Sequence, residues 1–428
     1  MTQQPPPPRP PPPGTLLPPR LGPRPLGLHL TTALSILLSS PAGLPWLRNG
    51  SLPWKRPQRA AAALRKMVVE VDPEAFRHAV DREMRRRIDG LLTGLHGYRH
   101  HPYRRNLVEP PPVWTEGSSR LLDHGTPSAA PGAAEIPVLL VPSLINRHYI
   151  LDLSQERSLV RWLAGQGLRP YLLDWGWPGE LERRFTLGDY IAGRLDRALA
   201  FLCQRHHGPI AVAGYCMGGM LAVALTQLRP ASVRSLTLLA TPWDFHAGDR
   251  ALALGLGIAA SPFVPALEAW GEMPVDAIQT LFAGLDPLLV LRKFRRFADL
   301  APGSAEAQAF VALEDWLNDG IPLVAAVARE CLIGWYGRNE AALGKWVVAG
   351  CCVDPAAIRV PTLALIPGHD RIVAPASARA LANRVPGARI LTPALGHIGM
   401  IVGRGAVDQV WRPFAQWLHD AAQPGVRD

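Results

Sequence analysis

Short apolar runs alternate with amphipathic stretches from about residue 137 onward, as in a parallel sheet flanked by helices. The apolar runs predict strands at 138–141, 170–173, 210–213, 235–239, 362–366 and 389–391. The amphipathic stretches predict helices around 156–165, 187–203, 218–228, 375–384 and 407–418. The pattern therefore predicts an α/β fold with a mostly parallel sheet.

The chain before this region has a helical pattern. Asp72 is a suitable N-cap, and Pro73 is suited to the first helical position. An apolar stripe follows at helical spacing, at Phe76, Val80, Met84 and Ile88. We therefore predict an N-terminal helical region over residues 26–104.

Residues 1–25 are predicted to be a disordered, proline-rich tail, because proline supplies no helix hydrogen-bond donor. The apolar run over 26–40 contains His29 and is shorter than the roughly 20 residues that a spanning helix needs. We therefore predict no transmembrane segment.

The alternation of strands and helices is interrupted over 246–350, where several prolines occur. This stretch is longer than a strand crossover needs, so we predict a cap inserted into the core and covering the substrate site. The core itself is predicted over 105–245 and 351–422.

Composition narrows the possible partners only in part. The 428 residues carry a net charge of +10, which permits anionic partners. Arginines cluster at Arg82, Arg85, Arg86 and Arg87, where a solvated face is the first interpretation and a docking surface the second. No nucleic-acid motif accompanies them, so no nucleic-acid partner is predicted.

The five cysteines show no paired spacing, which predicts neither disulfides nor a metal site. A reducing, cytoplasmic location fits this cysteine usage best.

Gly214-Tyr215-Cys216-Met217-Gly218 follows a predicted strand and precedes a predicted helix. This is the context of a nucleophile elbow, with cysteine in the usual serine position. The helix N-terminus and a histidine would favour the thiolate. Cys216 is therefore the predicted nucleophile, although most free cysteines are small buried hydrophobes.

An elbow of this kind also predicts where an oxyanion would bind. The backbone N–H of Met217 is the first expected donor, and a second is expected near Ser143 or Leu144, after an earlier strand.

Asp370 and His397 follow two late strands, in the order nucleophile, acid, histidine that is typical of an α/β-hydrolase. His397 is predicted to be the general base, and Asp370 is predicted to orient it. His369 and Asp354 are the competing candidates. No signature of a metal or nucleotide cofactor occurs.

Four pieces of the sequence carry a family resemblance: the segment 142–153, Asp174-Trp175-Gly176, the elbow around Cys216, and Gly396-His397-Ile398-Gly399-Met400. In these pieces the chain resembles polyhydroxyalkanoate synthases, nearest to the shorter class III type that works with a second subunit. The resemblance implies an α/β-hydrolase fold in which Cys216, Asp370 and His397 are catalytic.

By the same resemblance, the protein would polymerise (R)-3-hydroxyacyl-CoA into a polyester and release CoA, with no cofactor beyond the CoA thioester substrate. It implies a polymer granule and either a homodimer or a second synthase subunit as partners. Two alternatives remain open: a Cys-dependent hydrolase (thioesterase, esterase or polyester depolymerase), and a granule scaffold without turnover.

Overall fold

The computed structural model describes residues 19–49, 62–63, 66–67, 71–125 and 135–423. They form two compact units. The helical unit holds the described residues up to Tyr103 together with Pro287–Asn318, and the catalytic unit holds Arg104–Asp286 and the chain from Asp319 on. Most of the predicted tail, residues 1–18, lies outside the described residues.

The helices have these bounds in chain order: α1 Leu26–Ser39, α2 Leu44–Asn49, α3 Pro73–Arg99, α4 Leu159–Ala164, α5 Asp196–His206, α6 Met217–Leu228, α7 Arg250–Ala260, α8 Val264–Trp270, α9 Val275–Leu285, α10 Leu289–Ala298, α11 Ala305–Asn318, α12 Ala325–Arg329, α13 Pro375–Ala382, α14 Gly399–Val402 and α15 Arg412–Ala422. Wider π-helical turns occupy Asp189–Leu195, Glu330–Gly337 and Val407–Trp411.

The strands have these bounds: β1 Pro112–Glu116, β2 Ser119–Asp123, β3 Ile136–Val141, β4 Asp152–Ser154, β5 Arg157–Ser158, β6 Leu168–Asp174, β7 Ile210–Tyr215, β8 Val233–Leu239, β9 Glu272–Met273, β10 Leu323–Val324, β11 Val347–Val348, β12 Cys351–Cys352, β13 Thr362–Leu365 and β14 Arg389–Leu391.

Eight strands form the central sheet of the catalytic unit, in the order β1-β2-β6-β3-β7-β8-β13-β14. From β6 to β14 every pairing is parallel, whereas β1 and β2 join antiparallel at one edge. Strands β3 and β7 are almost entirely buried, as expected for parallel strands covered on both faces. The predicted α/β fold with a mostly parallel sheet is confirmed.

The edge hairpin β1–β2 was not predicted from the sequence. Its first strand has an exposed and half-buried pattern and begins with a proline, so it lacks the continuous apolar run of the inner strands. All six predicted strands are present. Strands β3, β6, β7 and β8 are two or three residues longer than predicted, whereas β13 ends one residue earlier than predicted.

The helical unit is built around α3. Its N-cap is Asp72, whose carboxylate accepts a hydrogen bond from the Ala75 N–H at 2.8 Å. A Cβ added to Gly94 would lie 2.0 Å from the carbonyl oxygen of Phe294, so α3 and α10 are in backbone contact. Apolar side chains from both helices share one core.

This packing places Pro287–Asn318 with the N-terminal helices, whereas the sequence assigned it to a continuous cap over 246–350. The physical reason is the strongly apolar face of α10, including Phe294 and Phe297, which is buried in the core that it shares with α3.

The tail predicted to be disordered, residues 1–25, includes residues that have defined contacts in the structure. Arg20 is nearly buried and ion-paired with Asp315 at 2.6 Å, and its guanidinium also donates to the backbone carbonyls of Tyr98 and His101. A guanidinium with several buried acceptors fixes the chain around it. Residues 19–25 therefore have defined contacts.

Most of the predicted basic face on α3 is paired within the helix. Arg85 bonds to Asp81, and both Arg86 and Arg87 bond to Glu83. These exposed pairs reduce the local positive field, which favours a solvated face over a docking surface.

One helical stretch of the described chain, Arg250–Trp270, is long and apolar enough to cross a membrane by length and composition. Helices buried in a protein core pass the same test, and 17% of this stretch is buried. The stretch alone is weak evidence for a membrane span.

Candidate active site

Cys216 stands between the end of β7 and the start of α6 with a backbone φ of 55° and ψ of −127°. Few non-glycine residues adopt a positive φ, and surrounding structure must hold such a conformation in place. Here the Cys216 N–H donates to Leu239 O at 2.8 Å, and Cys216 O accepts from the Gly219 N–H at 2.9 Å. These bonds hold the predicted elbow.

Glycines around the elbow allow backbone segments to approach closely. A Cβ on Gly214 would lie 2.4 Å from Gly219 Cα, and one on Gly218 would lie 2.1 Å from Val141 O. Real Cβ atoms do not make contacts this short. The elbow motif therefore requires glycine at these positions for steric reasons.

His397 lies between Asp370 and Cys216. Its Nδ1 is 2.7 Å from Asp370 Oδ2, and the Cys216 sulfur is close enough to the imidazole to raise the pKa of His397. Asp370 Oδ1 accepts from the backbone N–H groups of Ile372 and Val373, each at 2.8 Å. The three predicted residues therefore meet at one site.

The groups around His397 favour the charged form of its imidazole. Burial by itself lowers the pKa of His397, but the facing Cys216 sulfur and the Asp370 carboxylate outweigh it and raise that pKa to about 10. Both neighbours therefore stabilise the protonated imidazole of His397.

Tyr215 adds a contact that the sequence did not predict. Its buried hydroxyl donates to the backbone carbonyl of His397 at 3.2 Å, and its ring lies 5.2 Å from the imidazole. The residue next to the nucleophile thus fixes the loop that carries the base. Its position inside the elbow motif gave no signal of this role.

Met217 is the first residue of α6, so its N–H belongs to the helix-end donors that have no intrahelical acceptor. It lines the same cavity as Cys216. From the loop after β3, Ile145 lines that cavity, whereas neither Ser143 nor Leu144 does. The assignment of Ser143 or Leu144 as second oxyanion donor stays a prediction.

The loop after β3 is held from two sides. The indole N–H of the buried Trp175 donates to Pro142 O at 3.0 Å, and Ser143 Oγ accepts from the Ile145 N–H at 3.1 Å. Trp175 belongs to the Asp174-Trp175-Gly176 motif. That motif therefore positions the loop next to the elbow.

A cavity of about 340 Å³ opens above Cys216. Its wall is largely apolar and comes from the elbow, the Asp370 loop and the segments 246–286 and 323–336, with Leu252, Met273, Phe282, Leu332 and Trp335 as examples. Such a wall limits the access of water to the sulfur and suits an aliphatic acyl group.

The competing candidates lie elsewhere. Asp354 caps a short helical turn and pairs with Arg384 at 3.3 Å, and neither Asp354 nor His369 lines the cavity. Cys331 does line it, and burial raises the pKa of that thiol well above its usual value. Among the described residues, no cluster of three potential ligands is placed to hold a metal ion.

Comparisons with known proteins agree with this geometry. A family model for the alpha/beta hydrolase fold matches residues 136–404. The poly(3-hydroxyalkanoate) polymerase subunit PhaC of Allochromatium vinosum is 30% identical over 72% of this chain and 87% of its own length. The subunit of the same name from Synechocystis sp. is 34% identical over 67% of this chain and 78% of its own. The chain belongs to this polymerase family.

Family membership confirms the resemblance that the elbow and the Asp174-Trp175-Gly176 motif indicated. The roles of Cys216, Asp370 and His397 remain assignments from geometry and motif. Sequence reasoning missed the contacts that join distant parts of the chain, such as Trp175 with Pro142 and Tyr215 with His397.

Proposed function

We propose that this chain polymerises (R)-3-hydroxyacyl-CoA into polyhydroxyalkanoate, with the growing acyl group carried as a thioester on Cys216. The observation that supports it most directly is that His397 bonds to Asp370 and lies near the Cys216 sulfur, in a chain related to proteins named as polymerases.

In the first step, the Cys216 thiolate attacks the thioester carbonyl of the substrate. The carbonyl oxygen becomes an oxyanion, which the Met217 N–H and a second backbone donor near Ser143 or Leu144 stabilise. When the tetrahedral intermediate collapses, the bond from carbon to the CoA sulfur breaks, and CoA leaves with the proton from His397. One thioester has then replaced another, so the acyl group stays activated.

In the second step, the 3-hydroxyl of another hydroxyacyl-CoA attacks the acyl carbon on Cys216. His397 takes the hydroxyl proton, an ester forms, and the thiolate is released. The lengthened acyl-CoA can then react again with Cys216 as in the first step. The apolar cavity wall supports ester formation over hydrolysis because it limits access of water.

We further propose that the enzyme needs no cofactor beyond this CoA thioester. A cytoplasmic location, association with a polymer granule, and a homodimer or second synthase subunit complete the proposal. The free cysteines of the described chain are compatible with a reducing compartment.

The test is to incubate purified protein with (R)-3-hydroxybutyryl-CoA and to follow CoA release, polymer and the mass of the protein. We expect polymer and an acyl adduct on Cys216, both absent in Cys216→Ala. The matched control is Cys351→Ala, which removes an exposed thiol outside the cavity and should polymerise normally. Release of free hydroxy acid without polymer would favour the hydrolase alternative instead.

A further inference from the structure

One wall of the catalytic cavity is a π-helical segment, Glu330–Gly337. Four of its residues line the cavity: Cys331, Leu332, Trp335 and Tyr336. In a π-helix the hydrogen-bonded neighbours are five residues apart, as Arg338 N–H to Ile333 O at 2.9 Å shows. The wide turn therefore brings Cys331 and Tyr336 to the same face of the helix.

The backbone and ring of Tyr336 are held by the structure around them. Its carbonyl oxygen accepts from His246 Nε2 at 2.8 Å, and its ring packs edge-on against Phe245 with centroids 4.7 Å apart. At the end of the segment, a Cβ on Gly257 of α7 would lie 2.5 Å from Gly337 Cα. Tyr336 is therefore held in place before any substrate binds.

Other polar side chains of the cavity wall already have protein partners. Asp244 accepts from the Asn339 side chain at 2.8 Å, Asp249 caps α7, and Ser377 Oγ accepts from the Trp243 N–H at 3.1 Å. Within the part of the chain that the structure describes, the Tyr336 hydroxyl has no hydrogen-bond partner.

Burial, together with the nearby sulfurs of Cys216 and Cys331, raises the pKa of Tyr336, so the phenol stays protonated and can donate. An unpaired donor in an apolar cavity costs free energy until a ligand or water satisfies it.

An acyl group on Cys216 has its carbonyl oxygen at the elbow. In a 3-hydroxyacyl group, the remaining polar atom is the oxygen on C3.

We propose that the Tyr336 hydroxyl donates a hydrogen bond to the 3-oxygen of the acyl group on Cys216 and so selects 3-hydroxyacyl over unsubstituted acyl groups. This inference rests on the proposed acylation of Cys216. An unsubstituted acyl chain would leave the phenol unpaired, and a site built to bond a substrate hydroxyl discriminates against analogues that lack it.

The experiment measures single-turnover acylation of Cys216 with (R)-3-hydroxybutyryl-CoA and with butyryl-CoA, by CoA release and protein mass. The wild type is expected to react faster with the hydroxyacyl thioester. Tyr336→Phe should lower the ratio of the two rates by about 3- to 10-fold, the value of one hydrogen bond, and leave the butyryl rate unchanged. Tyr149→Phe is the control, since its hydroxyl bonds to Asp319 at 3.1 Å, and it should keep the wild-type ratio.

Two results would overturn the inference while the proposed function stands. One is an equal loss for both thioesters in Tyr336→Phe. The other is a wild type that acylates without preference, which is informative even when the variant does not fold. If neither thioester acylates Cys216, the proposed function fails and this inference fails with it.

Discussion

Two buried histidines of the catalytic unit have similar surroundings but differ in whether they can act as a base. His397 lies between Asp370, 2.7 Å from Nδ1, and the Cys216 sulfur. His148 lies between Asp174, 3.0 Å from Nδ1, and Glu109, 3.3 Å from Nε2. Burial alone lowers both pKa values, yet the flanking groups raise that of His397 to about 10 and that of His148 to about 9.

The difference lies in the second partner. Glu109 and Asp174 are permanent carboxylates, and Arg120 also bonds Asp174 at 2.5 Å, so His148 stays an imidazolium in a fixed ion cluster. In the proposed reaction, Cys216 loses its charge when it is acylated, which removes a major cause of the raised pKa of His397. The imidazole can then act as a base toward the next hydroxyl.

The ion cluster formed by His148, its two carboxylate partners and Arg120 lies near the loop that follows β3. Asp174 directly precedes Trp175, whose indole holds Pro142 O at 3.0 Å. We infer that His148 stabilises this part of the fold, whereas His397 takes part in proton transfer. Four predictions test this division.

The largest expected effect is on the acid of the His397 pair. Asp370→Asn should lower the rate of CoA release about 1,000- to 10,000-fold, because an amide fails to stabilise the imidazolium and can reverse the tautomer. Asp354→Asn, at the competing carboxylate outside the cavity, should keep the wild-type rate. An Asp370→Asn protein with more than a tenth of wild-type turnover would contradict the assignment.

His148→Gln should destabilise the fold by about 3 kcal/mol near neutral pH, because it removes the buried cation that lies between Asp174 and Glu109. With a folded pKa of about 9 against about 6.5 unfolded, the imidazolium stabilises fully below about pH 6.5. That stabilisation is lost as the pH rises through about 9.

Urea unfolding of wild type and His148→Gln at about pH 6 and about pH 10 measures this difference. The difference in the free energy of unfolding between wild type and His148→Gln should be smaller at the higher pH. His419→Gln, at a half-buried histidine that bonds to Gln166 O, is the control and should show no such trend. A gap that widens with pH would refute the ion-cluster interpretation.

Removing the sulfur should affect one histidine only. In Cys216→Ala the pKa of His397 should fall, because the sulfur is the largest single cause that raises this pKa. The pKa of His148 should stay near 9. Imidazole titration by NMR gives both values, and Cys203→Ala serves as the matched thiol control. An unchanged His397 titration would show that Asp370 alone sustains the raised value.

The smallest effect is expected for Tyr215→Phe, which keeps the ring and removes the hydrogen bond to His397 O. The loss of about one hydrogen bond predicts a 3- to 10-fold lower rate of CoA release and a changed pH profile. Tyr171→Phe removes a hydroxyl 2.8 Å from His206 Nε2 and should leave the profile unchanged. A Tyr215→Phe profile identical to the wild type would mean that the bond does not position His397.

The parts of the site that could be predicted are those encoded by neighbouring residues. The strand, the glycines and Cys216 stand within one short segment, so steric rules alone indicated the elbow. Asp370 and His397 were found by chain order, because the carboxyl ends of parallel strands meet at one edge of the sheet. Tyr336 gave no such signal, since its presentation depends on a π-helical turn.

The sequence by itself determined the inner strands, the cap of α3 and the elbow, because each depends on local periodicity, capping or backbone sterics. Tertiary structure alone decided that Pro287–Asn318 packs with the N-terminal helices and that Tyr215 and Trp175 fix distant loops. It also decided that one buried histidine faces a sulfur and the other only carboxylates. These outcomes depend on which side chains meet across the fold, and no local pattern carries that information.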